Sequence, residues 1–545
     1  MHTRLSVVLF AALVGLAACS RPGDATPVAT RTAPSGSAAS ATAAPVVAKG
    51  IAWQNATNDA EVDAAFAQAL AHNKPVFLYW GAAWCPPCNQ VKATLFSRQD
   101  FIERSRAFVP VYIDGDSPGA QKLGARFKVR GYPTLLLFNP QGHEMTRLPG
   151  EVDAQQITQV LTLGMNAQRP VKAVLADARA GGQGLSGNDW KLLAFYSWET
   201  DEQQQLVPKR ELPAVLKQLA AACPREQADT ATRLFLKAWA ASEAQGTRPD
   251  AAAHERLLAV LRNAESSRVH MDVLSNNAVE LSRALSAPKT PQRQQLLDAF
   301  DASLAGLAND ATLSRADRLT ALAARAKLAH IDAPRNAKPA VPMALLTEVR
   351  EHVARADRET TDGYERLVVI TTAADLLEEA GVPEESDALL RANLAKSHSP
   401  YYLMLGLASN ARKRGDTAEA LRWYEEAFNK SEGPATRLQW GASYLAALVQ
   451  LAPHDEAGIE RVAAQLFTEA QAQPGAFYER SARSLQRVGG SLVAWQKTAR
   501  GTPGHGGVMK RLRAQLDGLC GSVPEADGQR RTCEGLLKPQ PVSSA

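Results

Sequence analysis

Two cysteines separated by two prolines, in the run Trp84-Cys85-Pro86-Pro87-Cys88, carry the clearest chemistry in this 545-residue sequence. The spacing lets both thiols meet across one turn. If a helix starts there, Cys85 lies at its N-terminus, where unpaired N–H groups and the positive end of the helix dipole stabilise a thiolate. Cys88 is then one turn further in, more buried, and placed to attack a mixed disulfide on Cys85. Pro86 and Pro87 suit the first helical positions, whose N–H groups have no intrahelical partner anyway. A Cys-x-x-Cys pair also serves zinc, but zinc needs two further ligands. No second Cys or His pair lies at ligand spacing in this part of the chain. Exchange between dithiol and disulfide, with neither metal nor cofactor, is the expected chemistry.

The elements that must hold this pair read as alternating helix and strand between residues 51 and 168. Val62, Phe66 and Leu70 recur at helical spacing within Asn58 to His72, with Asn58 or Asp59 as N-cap and Lys74-Pro75 as the stop. Val76 to Trp80 is a short apolar run suited to a buried strand. Cys88 to Phe96 reads as helix, Phe108 to Ile113 as strand, Asp114-Gly115-Asp116 as turn and Ala120 to Phe127 as helix. Thr134 to Phe138 is a third strand, and Asn139-Pro140-Gln141-Gly142 turns the chain into a hairpin partner, His143 to Leu148. A helix over Val152 to Leu163 completes an α/β unit.

These residues resemble the thioredoxin superfamily over about 110 residues. The Trp-Cys-x-x-Cys run follows an apolar strand, Gly131-Tyr132-Pro133-Thr134 precedes the third strand, and the Asn139 to Gly142 hairpin follows. The resemblance implies a cis-proline at Pro133 beside the disulfide, Cys85 as attacking thiol, Cys88 as resolving thiol, and support from Trp84, Pro86, Pro87 and Tyr132. The strand preceded by Lys74-Pro75 is similar to thioredoxin-like modules of periplasmic electron-relay proteins. Two positions depart from the family. General reductases carry a buried Asp six residues before the first cysteine, where this sequence has Tyr79, and the family's nearby lysine aligns with Pro110. Proton transfer from Cys88 therefore calls for water or another group.

The first residues read as a targeting segment. Arg4 precedes an apolar run, Leu5 to Leu16, that is too short to span a membrane. It ends in Leu16-Ala17-Ala18-Cys19, which resembles the bacterial lipobox. The resemblance implies cleavage after residue 18 and a lipid on Cys19; Ser20 at the following position points to the outer membrane. Residues 19–50 form a tether. From Ser20 to Lys49 it lacks any aromatic, Leu or Ile, so it buries too little apolar surface to offset its ordering entropy. As a flexible coil it spans about 30 Å.

Residues 169–515 read as an Ala/Leu-rich helical domain with almost no strand signal. Amphipathic runs fall at Asp189 to Tyr196, Ala214 to Ala222, Thr230 to Ala241, Ala252 to Ala264, Arg293 to Leu307 and Arg315 to Ala329. Gly381 and Gly415 lie 34 residues apart, as do Ala374 and Ala408, and Leu390 and Tyr424. That period resembles the tetratricopeptide repeat and implies a groove for docking a partner or substrate. Trp190, Tyr196 and Trp198 are either contacts there or, more in keeping with their spacing, core. Arg500 to Gly507 imitates a phosphate loop but lacks its Gly-Lys-Ser/Thr end and preceding strand, and reads as a mobile interhelical loop. Residues 516–545 read as a tail in which Cys520 and Cys533 pair, leaving Cys223 as a buried free thiol.

The net charge of +5 is small for this length and no basic patch interleaves with aromatics, so no nucleic-acid partner is implied. The expectation is a lipid-anchored periplasmic thiol–disulfide oxidoreductase. Its partners would be periplasmic protein disulfides or dithiols and an inner-membrane electron donor. The competing expectation is an interaction protein whose helices do the work and whose thioredoxin fold is a docking or redox-regulated module.

Overall fold

The computed structural model describes residues 50–148, 150, 153–198, 206–242, 250–334, 340–498, 503–525 and 528–538. The expected leader, Cys19 and nearly all of the tether lie outside them. The chain opens with β1 (Gln54–Asn55), α1 (Asp59–Ala71), β2 (Val76–Gly81), α2 (Pro86–Thr94) and α3 (Gln99–Arg104). It continues with β3 (Val109–Asp114), α4 (Ala120–Phe127), β4 (Thr134–Phe138), β5 (Glu144–Leu148) and α5 (Ala154–Met165). Asn58 caps α1 as expected, its side chain accepting the Glu61 N–H at 3.0 Å. The two-residue β1 and the six-residue α3 were not anticipated; neither is long enough to show a period.

The strands form one sheet in the order β1-β3-β2-β4-β5. β2 runs parallel to β3, with Val76 opposite Val109 and Gly81 opposite Asp114, and antiparallel to β4. Every β2 residue is buried because the sheet is covered on both faces. The alternation of the strand then divides its side chains between two cores. Val76, Leu78 and Trp80 join Leu136 and Phe138 against α1 and α4. Phe77 and Tyr79 join Leu135 and Leu137 against α2, α3 and α5.

The second of these cores does not stop at the expected boundary at residue 168. It runs on into the helices Val171–Arg179, Gly187–Ala194, Leu212–Ala222 and Ala228–Ala240. Trp190, Tyr196 and Trp198 sit in it at 1%, 1% and 5% exposure, so they are core and not contacts for a partner. Side chains of this size each contribute about 1.5–3 kcal/mol when buried, so this row is a strong bond between sheet and helices. Among the described residues no strand follows β5. Gly381 and Gly415 occupy equivalent turns between helices, at φ 86° and 80°, a conformation that favours glycine. Arg233 and Asp272 form a buried, doubly hydrogen-bonded pair at 2.9 and 2.6 Å between helices Ala228–Ala240 and Met271–Asn276. Burial raises the Asp272 carboxyl, but the charge and hydrogen bonds of Arg233, together with Lys237 and His270, outweigh it and hold the group below its usual range.

The far end also differs from expectation. Helix Pro503–Ser522 includes Pro503 to Gly507, where a mobile loop was expected, and runs through the expected start of the tail at 516. Proline suits the first turn of a helix, which explains the misreading. Residues 499–502 lie outside the described set. Cys520 is disulfide-bonded to Cys533 on helix Gln529–Gly535, with Cα atoms 5.6 Å apart. Cys223 is free and buried, and burial pushes its thiol up to about 11.

Candidate active site

Helix α2 begins where β2 leaves the sheet. Cys85 is its N-cap in extended conformation, and Pro86 and Pro87 fill the first two helical positions. The Cys85 Sγ accepts the Cys88 N–H at 3.2 Å, so an orphan donor of the first turn points at the sulfur. The two cysteines are joined as a disulfide, Cα atoms 5.2 Å apart. Asn89, wholly buried, locks the turn by donating to the carbonyls of Ala83 (2.8 Å) and Cys85 (2.9 Å). Opposite lies the cis Tyr132–Pro133 bond. Tyr132 packs against the cysteine cluster, and its hydroxyl accepts from Gln121 at 3.2 Å.

Tyr79 fills the position of the absent carboxylate. It is 2% exposed, stacked on Tyr112 at 5.2 Å and edge-on to Phe96 at 4.8 Å. Its hydroxyl has no hydrogen-bond partner, and burial pushes the phenol far above its ordinary value. It cannot serve as a base near neutral pH. Asp114, at the end of β3, is the ionisable group read in the sequence as a mere turn residue. Burial raises its carboxyl, against the pull of Lys92. Lys92 on α2 in turn lies 5.8 Å from the Tyr112 ring and 4.9 Å from Tyr364, and burial lowers it.

The side of the domain that carries the disulfide faces the later helices. Trp84 donates to Thr436 Oγ1 at 2.7 Å, stacks on Tyr402 at 6.0 Å and meets Trp440 edge-on at 4.8 Å. Asp116 accepts the Thr436 N–H at 2.7 Å and its hydroxyl at 2.6 Å. Arg480 donates to Asp116 at 3.1 Å and to Thr436 at 3.0 Å. Its guanidinium lies 5.1 Å from the rings of both Trp84 and Tyr132. His398 contacts the Ala83 carbonyl at 3.0 Å, and Gln90 donates to Ser314 and Asp317 at 2.9 and 3.1 Å. Under this cover Cys85 is 2% exposed and Cys88 is fully buried. Neither Asp116 nor any of these helical partners was singled out from the sequence. Their signal lies in contacts between residues more than 200 positions apart.

Residues 62–164 match the family described as "Thioredoxin-like domain". The thiol:disulfide interchange protein DsbD 1 of Pseudomonas aeruginosa is 34% identical over 113 residues, 20% of this chain and 19% of that protein. DsbD of Yersinia pestis is 34% identical over 118 residues, 21% and 19% of the two chains. DsbD of Klebsiella pneumoniae is 33% identical over 108 residues, 19% and 18%. The chain thus spans about a fifth of the length of the curated relatives it matches. The sheet, the cysteine pair and these likenesses converge: residues 62–164 form a thioredoxin-like domain with a Cys-x-x-Cys disulfide, within a chain that is otherwise largely helical.

Proposed function

We propose that the chain is a thiol–disulfide oxidoreductase acting on protein disulfides or dithiols, held to the periplasmic side of a bacterial membrane by lipid on Cys19. The observation that carries this reading is the Cys85–Cys88 disulfide at the start of α2, facing the Tyr132–Pro133 loop. The relatives' own name, thiol:disulfide interchange protein, supports it. In the disulfide form, a substrate thiolate attacks the Cys85 sulfur and Cys88 leaves as thiolate. The second substrate thiolate then releases Cys85. The substrate loses two electrons and two protons, and the cysteine pair gains them. Run in reverse, the reduced pair reduces a substrate disulfide through Cys85, with Cys88 resolving. The direction follows the potential of the partner couple.

The anchor rests on the lipobox resemblance at Leu16 to Cys19; among the described residues no helix is long and apolar enough to cross a membrane. Cys19→Ala should move the protein from the membrane fraction to the soluble periplasm. The helical region is the docking element of this reading, and its cover over Trp84 and the 34-residue spacing of Gly381 and Gly415 support that role. The near-complete burial of both cysteines favours a second reading, a redox-regulated interaction module that does not turn over.

Alkylation of Cys85 and Cys88 in cells, with and without the supply of periplasmic reductant, separates the two. Exchange predicts that the redox state follows the supply, and that Cys88→Ser traps partners through Cys85. A pair that stays oxidised under both conditions and traps nothing would leave the interaction reading.

A further inference from the structure

A half-open cavity of about 180 Å³ adjoins the cysteine pair. Its floor is Pro86 and Pro87, the residues between the two cysteines, and its walls come from helices Met271–Asn276, Arg315–Ala329 and Gly363–Glu379. Most of the polar side chains around it present acceptors; the Tyr402 phenol and the Gln90 amide, which also line it, can donate. The Thr320, Thr371 and Thr372 hydroxyls already donate to carbonyls of their own helices, at 3.0, 2.8 and 2.8 Å. The Asn276 amide N–H₂ donates to the Asp272 carbonyl at 2.9 Å. What the three hydroxyls retain toward the cavity is acceptor capacity, and the Asn276 amide keeps its oxygen and one N–H.

Two carboxylates reinforce that bias. The Asp317 carboxylate accepts only from neutral donors, the Ser314 hydroxyl and the Gln90 amide. Asp375 has neither hydrogen bond nor ion pair among the described residues; it feels the charges of Lys327 and of Lys413, the second of which is paired with Glu378. Burial raises both carboxyls to about 6. Asp272, also in the wall, is different, because Arg233 takes both of its oxygens. An independent observation points to an absent ligand: Ser275 lines the cavity, is 7% exposed, and its hydroxyl has no partner.

We propose that this cavity holds a lysine or arginine side chain of the polypeptide whose cysteine exchanges with Cys85. Ammonium and guanidinium groups bring several donors, a positive charge and no acceptor, the complement of such a wall. The volume suits one long side chain and falls below that of small-molecule pockets, which run from about 300 Å³ upward. The proline floor sets the basic residue next to the exchanging cysteine. The proposal rests on the exchange reading above and adds to it a preference for basic sequences.

The test uses the full chain and two peptides with an internal disulfide, identical except for Lys or Gln beside one cysteine. The expected ratio of kcat/KM, Lys over Gln, is about tenfold, carried by KM. In the double variant Asp317→Asn, Asp375→Asn the ratio should fall to near one. A ratio near one in the natural protein, or one that survives in the variant, overturns the proposal. Calorimetry with the Lys peptide carrying Ser for both cysteines reads the site without chemistry. Binding that the double variant loses, with no turnover of any peptide, keeps the site and discards the exchange reading. Turnover without preference and without such binding does the reverse. Far-ultraviolet dichroism checks that the variant is folded.

Discussion

The two disulfides among the described residues have nearly the same Cα separation, 5.2 and 5.6 Å, and opposite surroundings. Cys520–Cys533 ties two helices within the apolar core built by Leu516, Leu519 and Leu536. Cys85–Cys88 closes the first turn of one helix, receives an N–H on its sulfur, and is packed by Trp84 and Tyr132, whose rings carry the Arg480 guanidinium. The bond is the same, so the difference lies in what can stabilise a thiolate once it opens. Only the second environment offers that.

The sharpest break in this comparison comes from the cysteines themselves. Cys85→Ser should abolish exchange, measured by reduction of an insulin-type disulfide, whereas the double variant Cys520→Ala, Cys533→Ala should retain it. The latter should instead lose about 3 kcal/mol of stability in a denaturant titration, the value for a loop of that length. Complete loss of exchange in the Cys520/Cys533 variant, with its fold intact, would show that the two bonds are not so distinct.

Arg480→Met should cost about as much or more, about 3–5 kcal/mol, because it strands the half-buried Asp116 carboxylate between Thr436 and the turn. In the reduced protein it should also speed alkylation of Cys85 by loosening the cover over Trp84. An unchanged alkylation rate would mean that the cover does not depend on this pair.

A smaller effect, with a sign that depends on pH, is expected of Asp317→Asn. The folded carboxyl titrates near 6, above its unfolded value, so its ionisation opposes folding. That cost is absent below the unfolded value and complete above about 6. The variant should therefore melt higher than the natural protein at about pH 8 and no higher at about pH 4. Melting temperatures across this range decide it; a gain equal at both ends would contradict the assignment.

The smallest effect belongs to Tyr79→Phe. The lost hydroxyl is buried and unpartnered, so stability should hold or rise by up to about 1 kcal/mol. The pH profile of exchange should not move. A shift in that profile would show that the phenol takes part in proton transfer after all. Tyr79→Asp, attractive from the sequence, would place a charge among Trp53, Phe96 and Tyr112, and should unfold the strand before it could act as a base.

What could be read in advance follows the range of the interactions. Strands β2 and β4 and helix α4 announce themselves through local period and turn residues, and each falls within a residue of the expected bounds. The Trp-Cys-x-x-Cys run and the proline loop are equally local. The continuation of the sheet core into Trp190 and its neighbours was not legible, because an apolar helix face does not say what it covers. Nor was the cover over the cysteines: Trp84 meets Thr436 across 352 positions, and a carboxylate such as Asp116 looks like any turn residue until its partner is seen.

That separation has a consequence in time. The residues that close over Cys85 lie between Ser314 and Thr498, and Arg480 is made almost 400 residues after the cysteine. Closing so long a loop is slow relative to forming a local α/β unit. During synthesis and folding the thioredoxin-like sheet should therefore form first, with its cysteine pair open to any oxidant. The expected result is a period of unguarded reactivity that ends only when the last helices arrive.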